Sequence, residues 1–340
     1  LFISINIKLY CKHMIISKTP LRISFFGGGT DYPEWLKKNK GAVLSTTINK
    51  YTYISLNIKS SLFHQKYLIT YRKIENKNKI SKIEHPSVRE CLKYFKIKPG
   101  CELIYNGDLP ARSGVASSSS FTVGLLNCLY ALKKKKITKK QLAEKAIFIE
   151  REVLKENVGL QDQVACTYGG LNLINFKNNE FEVSKLNINN NVLKTLNNNL
   201  FLCYSGVQRI SNNIAKKYIK KLSFSSYKDL MNTNYDLVNE GINLLKKNKL
   251  DEFGKLLDIS WKMKKKLHNQ VSSPKLNEFY DNAIDSGALG GKLLGAGGGG
   301  FFLFYIPKRK LPNFIKQNKK LHISQFKFEN NGSVIINNSS

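Results

Sequence analysis

Alternating apolar and polar positions mark several segments of the chain as strands. Residues 41–58, GAVLSTTINKYTYISLNI, are rich in β-branched and aromatic side chains, as are 61–71 and 101–106, and all three predict strands. After a polar loop, NGDLPARSGVASSSS, the residues Phe121, Leu125, Leu129 and Leu132 recur at helical spacing, with the serines where that helix begins. A second helix starts at Thr138. Thr138 and Gln141 form a capping box, Ile137 and Leu142 occupy the staple positions, and Leu142, Ala146, Ile149 and Val153 make the buried stripe. The pattern carries this helix to about 157–159, and residues 169–176 predict another strand.

The Asn-rich stretch 188–199 divides the chain into halves. Beyond it, FLCYS (201–205) predicts a strand and 211–268 mostly helix. Ser273 with Pro274 opens a further helix that stops at Gly287. KLL, a glycine loop (GAGGGG, 295–300) and the strand FFLFYI follow, then a short helix and two strands, HISQFKF and SVIINN. Strands precede and follow helices in both halves, which predicts two α+β domains, 14–195 and 196–340. Residues 1–13, LFISINIKLYCKH, are expected to form an unstructured extension, because charges break their apolar run and make a poor signal peptide.

Composition narrows the function classes. No uninterrupted apolar run reaches about 18 residues, so no membrane span is expected. The net charge of +31 raises nucleic-acid binding through phosphate neutralisation as a reading from a different class. The lysines are spread along the chain (KKNK at 37–40, KKKK at 133–136) rather than gathered with arginines and aromatics in one groove. They read as solvated faces, so no nucleic-acid partner is expected, though a basic surface attracts anionic substrates. The cysteines are scattered without a C-x-x-C pair and the histidines form no ligand-spaced cluster. A disulfide framework or zinc site is therefore not expected, and a cytoplasmic location fits.

Three Gly/Ser-rich loops carry the candidate chemistry. In PLRISFFGGGTDYPEW, from Pro20 to Trp35, an apolar run ends in three glycines and a carboxylate. In the second loop, Gly114 permits close backbone approach, and Ser117 to Ser120 put N–H groups and hydroxyls at a helix start. Such a terminus suits a phosphate, and also suits a plain serine cap. No G-x-x-x-x-G-K-[ST] run is present. The third loop formally satisfies G-x-G-x-x-G through Gly295, Gly297 and Gly300, but a strand follows it rather than a helix. Glu150 sits at the edge of an apolar stripe and Asp162 lies between two glutamines past a helix end. By pattern alone, Glu150 reads first as a surface residue beside Arg151 and Asp162 first as a turn residue.

The three loops, in this order, resemble the three motifs of the GHMP small-molecule kinases, the family of galactokinase, homoserine kinase and mevalonate kinase. PLRISFFGGGTDY resembles the first motif, LPARSGVASSSS the second and KLLGAGGGGFF the third. IEREVLKENVGLQDQ resembles the segment that carries a metal-binding Glu and a catalytic Asp. The resemblance implies a two-domain fold, with an N-terminal domain like domain 2 of ribosomal protein S5 and a ferredoxin-like C-terminal domain. It implies ATP and Mg²⁺ as cofactors and a small-molecule sugar phosphate as partner. Asp162 matches the acid beside the substrate hydroxyl, as base or electrostatic partner, and Arg22 the basic residue next to it. Glu150 and Ser118 match the Mg²⁺ ligands. Ser113, Gly114, Val115, Ala116, Ser117, Ser118 and Ser119 would wrap the ATP phosphates, and Gly295 to Gly300 of the third loop would close over them, with Gly297 also on the substrate.

The first motif departs from the family pattern. Where galactokinases carry Glu-His, this chain has Gly28 and Gly29, followed by Thr30 and Asp31, the latter matching a sugar-hydroxyl acceptor. Losing that Glu opens space and removes a negative charge, which favours a longer, anionic substrate. Within the family the form SFxGGGTDxP is most similar to the D-glycero-D-manno-heptose 7-phosphate kinases, which act on the anomeric hydroxyl. Fucokinase- and galactokinase-type activities are the alternatives. Arg209 and Arg112 are candidates to hold the 7-phosphate.

Overall fold

In the computed structural model the described residues are 14–60, 64–98, 100–207, 216 and 219–338. The extension before Met14 and Arg209 lie outside them. Strand β1 (Met14–Phe26) and strand β2 (Gly41–Ile58) form the antiparallel centre of the first sheet, with the short helix α1 (Pro33–Leu36) between them. The β-branched and aromatic run of β2 pairs along nearly all of β1, with irregularities after Pro20 and Ser24 that bend the strand before the glycines. Strands β3 (Tyr67–Thr70), β4 (Ile74–Lys77) and β5 (Cys101–Gly107) extend the sheet on one side, with helix α2 (Pro86–Tyr94) between β4 and β5. The strand predicted over 61–71 is thus shorter within the described residues and turns directly into β4.

Helix α3 (Ser117–Leu132) lays a buried face on this sheet, where Leu125, Leu126 and Leu129 join Ile54 and Leu103 in one core. Helix α4 (Lys139–Phe148) starts with the predicted capping box at Thr138 and Gln141. It ends earlier than its periodicity predicts, in a single π turn at Ile149–Val153. Helix α5 (Gln161–Tyr168) and the hairpin of β6 (Asn172–Lys177) and β7 (Glu180–Lys185) complete this half.

The Asn-rich stretch is a helix, α6 (Asn190–Asn199), capped by Asn189 and anchored by buried Leu196. Then come β8 (Leu200–Tyr204), α7 (Ser225–Lys246), α8 (Leu250–Leu267), α9 (Pro274–Asp285), β9 (Gly290–Leu293), β10 (Phe301–Tyr305), α10 (Leu311–Gln317) and β11 (His322–Ser324). The second sheet runs β11-β8-β10-β9 with every pair antiparallel. That is the ferredoxin-like strand order. The tail then leaves this half. Its last strands, β12 (Phe328–Glu329) and β13 (Val334–Asn338), pair with β2 and β1 and bring the first sheet to nine strands. The sequence reading counted them with the second half, because strand pairing over some 300 residues of separation leaves no local trace.

The halves share a core. Phe25 and Phe26 at the end of β1 meet Phe253 of α8 edge-to-face, and Leu21 and Leu44 lie in one cluster with Leu237, Leu257 and Leu303. The glycine-loop end of β1 therefore lies against the second half. Among the described residues, no helix is long and apolar enough to cross a membrane.

Candidate active site

β1 delivers Arg22 and then the glycine loop. Gly27 has a φ of 82°, and a Cβ there would lie 1.9 Å from the Ala42 carbonyl oxygen, so only glycine fits. Gly29 also has a positive φ, 104°. Gly28 is different: its φ lies outside the left-handed region, and a Cβ would meet only Ser24 Oγ, at 3.5 Å. Backbone geometry does not require glycine there. The Gly28 carbonyl accepts a hydrogen bond from Asn234 of α7 at 2.7 Å.

Thr30 and Asp31 organise the loop. The buried Thr30 hydroxyl lies within 2.8 Å of the Gly27 carbonyl and 2.9 Å of the Ala42 carbonyl. The Asp31 carboxylate accepts from the N–H groups of Gly29 (3.0 Å) and Gln161 (3.1 Å), which ties the loop to the start of α5. Burial, joined by the charge of Asp162, pushes the Asp31 carboxyl above its usual range.

Asp162 stands in the first turn of α5, where its Oδ1 accepts from Arg22 Nη2 and, at 3.0 Å, from Gln161 Nε2. Arg22 is 3% exposed and Asp162 31%, so the carboxylate is the member of the pair that faces open space. Arg22 Nη1 also donates to the Gly114 carbonyl at 3.3 Å, which joins the first loop to the second. Burial works against the guanidinium charge, but the charge and hydrogen bond of Asp162 outweigh it and raise its pKa.

The second and third loops meet backbone to backbone. Cβ atoms at Gly114, Gly295 and Gly300 would lie 2.5 Å from Leu294 O, 2.7 Å from Gly114 Cα and 2.3 Å from Ser113 O. The Phe301 N–H donates to the Ser113 carbonyl at 3.0 Å. Gly297 packs instead on Val271, so the contacts of this predicted substrate residue are structural. Ala116, in the left-handed region at φ 63°, turns the chain into α3. The first-turn N–H groups of a sixteen-residue helix then stand at the seam, with Ser118 exposed beside them.

Glu150 lies behind that helix start and is fully buried. Its Oε2 accepts from Ser119 Oγ at 2.9 Å and from Gln163 Nε2. The serine bonded to Glu150 is Ser119, one residue past the predicted Ser118. Glu150 Oε1 and Gln163 Oε1 are buried with no hydrogen-bond partner. Burial, reinforced by the Glu156 charge, pushes Glu150 up to about 8. An all-oxygen set with two unsatisfied atoms and a carboxylate starved of positive charge fits a hard divalent cation such as Mg²⁺.

Sequence reasoning missed the basic wall of the seam. Lys292 of β9 is 5% exposed, and its Nζ donates to the Phe25 carbonyl (2.7 Å) and Ser260 Oγ (3.2 Å). Lys264 of α8 donates to the carbonyls of Leu293 (2.7 Å) and Gly295 (2.5 Å). Lys292 is the first residue of the third motif, KLLGAGGGGFF, and that place in the motif, in an otherwise apolar strand, was the available signal.

The chain matches two family models, GHMP kinases N terminal domain over residues 83–170 and GHMP kinases C terminal over 242–321. A D-glycero-alpha-D-manno-heptose 7-phosphate kinase of Campylobacter jejuni is 30% identical over 333 residues, which cover 94% of this chain and 97% of that protein. Two solved structures share the fold. One, described as a D-glycero-D-manno-heptose 1-phosphate kinase from Bacteriodes thetaiotaomicron, superposes with a TM-score of 0.78 at 21% identity, covering 95% of this chain and 99% of that one. The other, a putative sugar kinase from Campylobacter jejuni, gives 0.73 at 28% identity over 95% of this chain and 98% of that one.

Proposed function

The chain belongs to the GHMP kinases and is a sugar kinase, and from that premise we propose that its substrate is D-glycero-D-manno-heptose 7-phosphate, phosphorylated by MgATP at the anomeric C1 hydroxyl to the 1,7-bisphosphate. The observation that carries this reading is the Arg22–Asp162 pair, whose partly exposed carboxylate stands between a glycine loop and a helix start. The bare Gly28 in the same loop as Asp31, and the Campylobacter relative matched over 97% of its length, support the substrate.

The N–H groups at the start of α3, with Ser117 and Ser118, bind the ATP phosphates. Glu150, with the hydroxyls of Ser118 and Ser119, would hold Mg²⁺, which when bound neutralises charge on the β- and γ-phosphate oxygens. Asp162 orients the sugar hydroxyl. That oxygen attacks the γ-phosphorus as the bond to the β-phosphate oxygen breaks, ADP leaves, and the hydroxyl proton passes to Asp162 or on to solvent. Arg22 holds Asp162 in place and answers negative charge on the transferred group. The missing carboxylate at Gly28 counts against a galactose-type substrate.

ADP release with MgATP tests the reading against a panel of the heptose 7-phosphate, the unphosphorylated heptose, fucose, galactose and mannose. Turnover confined to the 7-phosphate is expected, with a loss of roughly 100-fold or more in Asp162→Ala. Turnover of a free sugar in preference to the 7-phosphate overturns the substrate assignment.

A further inference from the structure

Beside Gly28 the seam narrows into a small recess of about 20 Å³, room for about one water molecule, walled by Met231, Asn234, Ser260, Met263, Lys264 and Lys292. Its charge is one-sided. Among the described residues no carboxylate forms a salt bridge with Lys292, whose two hydrogen-bond acceptors are neutral. Burial first, and then the like charge of Arg22, push its pKa down to about 7. The carboxylate that answers Arg22 is Asp162, outside this recess. Lys264 brings a second ammonium group to the same wall, held in place by carbonyl oxygens of β9 and the third loop.

Burying an ammonium group among neutral acceptors costs free energy unless an anion completes the site. The donor set suits an anion with several oxygens: two ammonium groups, the Ser260 hydroxyl and the Asn234 amide. The methionine walls are unbranched and can shift to admit it. Gly28 lines this recess, and a Cβ there would meet none of the other wall residues within 4 Å. We infer that the recess is the subsite for the terminal phosphate of the sugar substrate, with Lys292 and Lys264 as its cationic contacts and Gly28 as its bare wall. This deepens the function proposed above and rests on it.

The test is equilibrium binding by calorimetry on the full chain, with the heptose 7-phosphate and the unphosphorylated heptose as probes. Wild type, Lys292→Met and Lys264→Met are compared, and thermal midpoints report folding. Lys264→Met keeps the test open if the buried Lys292 variant folds poorly. Wild type is expected to prefer the phosphorylated sugar. Each variant should lose roughly 10- to 100-fold of affinity for it, with little change for the free sugar. A wild-type preference that survives in the folded variants overturns the subsite alone. Equal losses for both sugars also overturn it and leave the lysines a structural role. No preference in wild type overturns the heptose 7-phosphate reading, and the subsite with it.

Discussion

At the scale of single residues, the three glycines of the first loop separate into two kinds. Gly27 is demanded by its own backbone and by the Ala42 carbonyl, whereas Gly28 is not. Gly27→Ala should therefore cost about 2–4 kcal/mol of stability. Gly28→Ala should cost under about 1 kcal/mol while raising KM for the sugar several-fold. Denaturant melts and steady-state kinetics on the two variants check this, and equal destabilisation would show that Gly28 too is a packing residue. Arg22, Asp162 and Glu150 were legible because each sits in a motif whose chemistry needs that residue type. Lys292 opens the third motif, but its role was not legible, since its burial arises when Phe25 and Ser260, 267 and 32 residues away, close over it. Thr30 and Gly297 were legible as loop residues, but spacing does not encode which side of a loop faces its own packing.

At the scale of elements, the π turn at Ile149–Val153 has the clearest consequence. Apolar spacing continues through Val153 and reads as ordinary helix. The wider turn instead places Glu150 fully inside, against Ser119 and Gln163, and π turns recur at functional sites. The folded Glu150 pKa of about 8 lies above its unfolded value near 4.5, so the folded protein holds a proton that the unfolded chain has released. The stability this contributes is complete below about 4.5 and is lost as pH rises through 8. Without metal, wild type should lose stability relative to Glu150→Gln between those pH values, by at most about 1.4 kcal/mol per pH unit. Lys292 acts in the opposite sense between about 7 and 10.5, but it is common to both proteins and cancels in the difference. Urea titrations at several pH values read this, and parallel profiles would contradict the buried-carboxylate account. The Asn-rich helix α6 shows the converse limit: its composition reads as linker, but Asn189 caps it and Leu196 anchors it.

At the scale of the whole molecule, the two halves are bound by a shared core and by a tail that crosses back to the first sheet. The order of strands and helices within each half was legible. The return of β12 and β13 was not, because register between distant strands is set only once both sheets exist. The site lies where the halves meet: Arg22 and the serine helix come from the first, the lysines and the glycine cover from the second. The surplus of positive charge over the molecule favours the approach of two anions, ATP and a sugar phosphate. The most direct test of that account is ³¹P NMR of the product formed from MgATP and D-glycero-D-manno-heptose 7-phosphate. Two phosphomonoester signals, the new one coupled to the anomeric proton, are predicted. A new phosphate coupled to any other carbon-bound proton of the sugar, or no transfer to this substrate while a free sugar is phosphorylated, would contradict it.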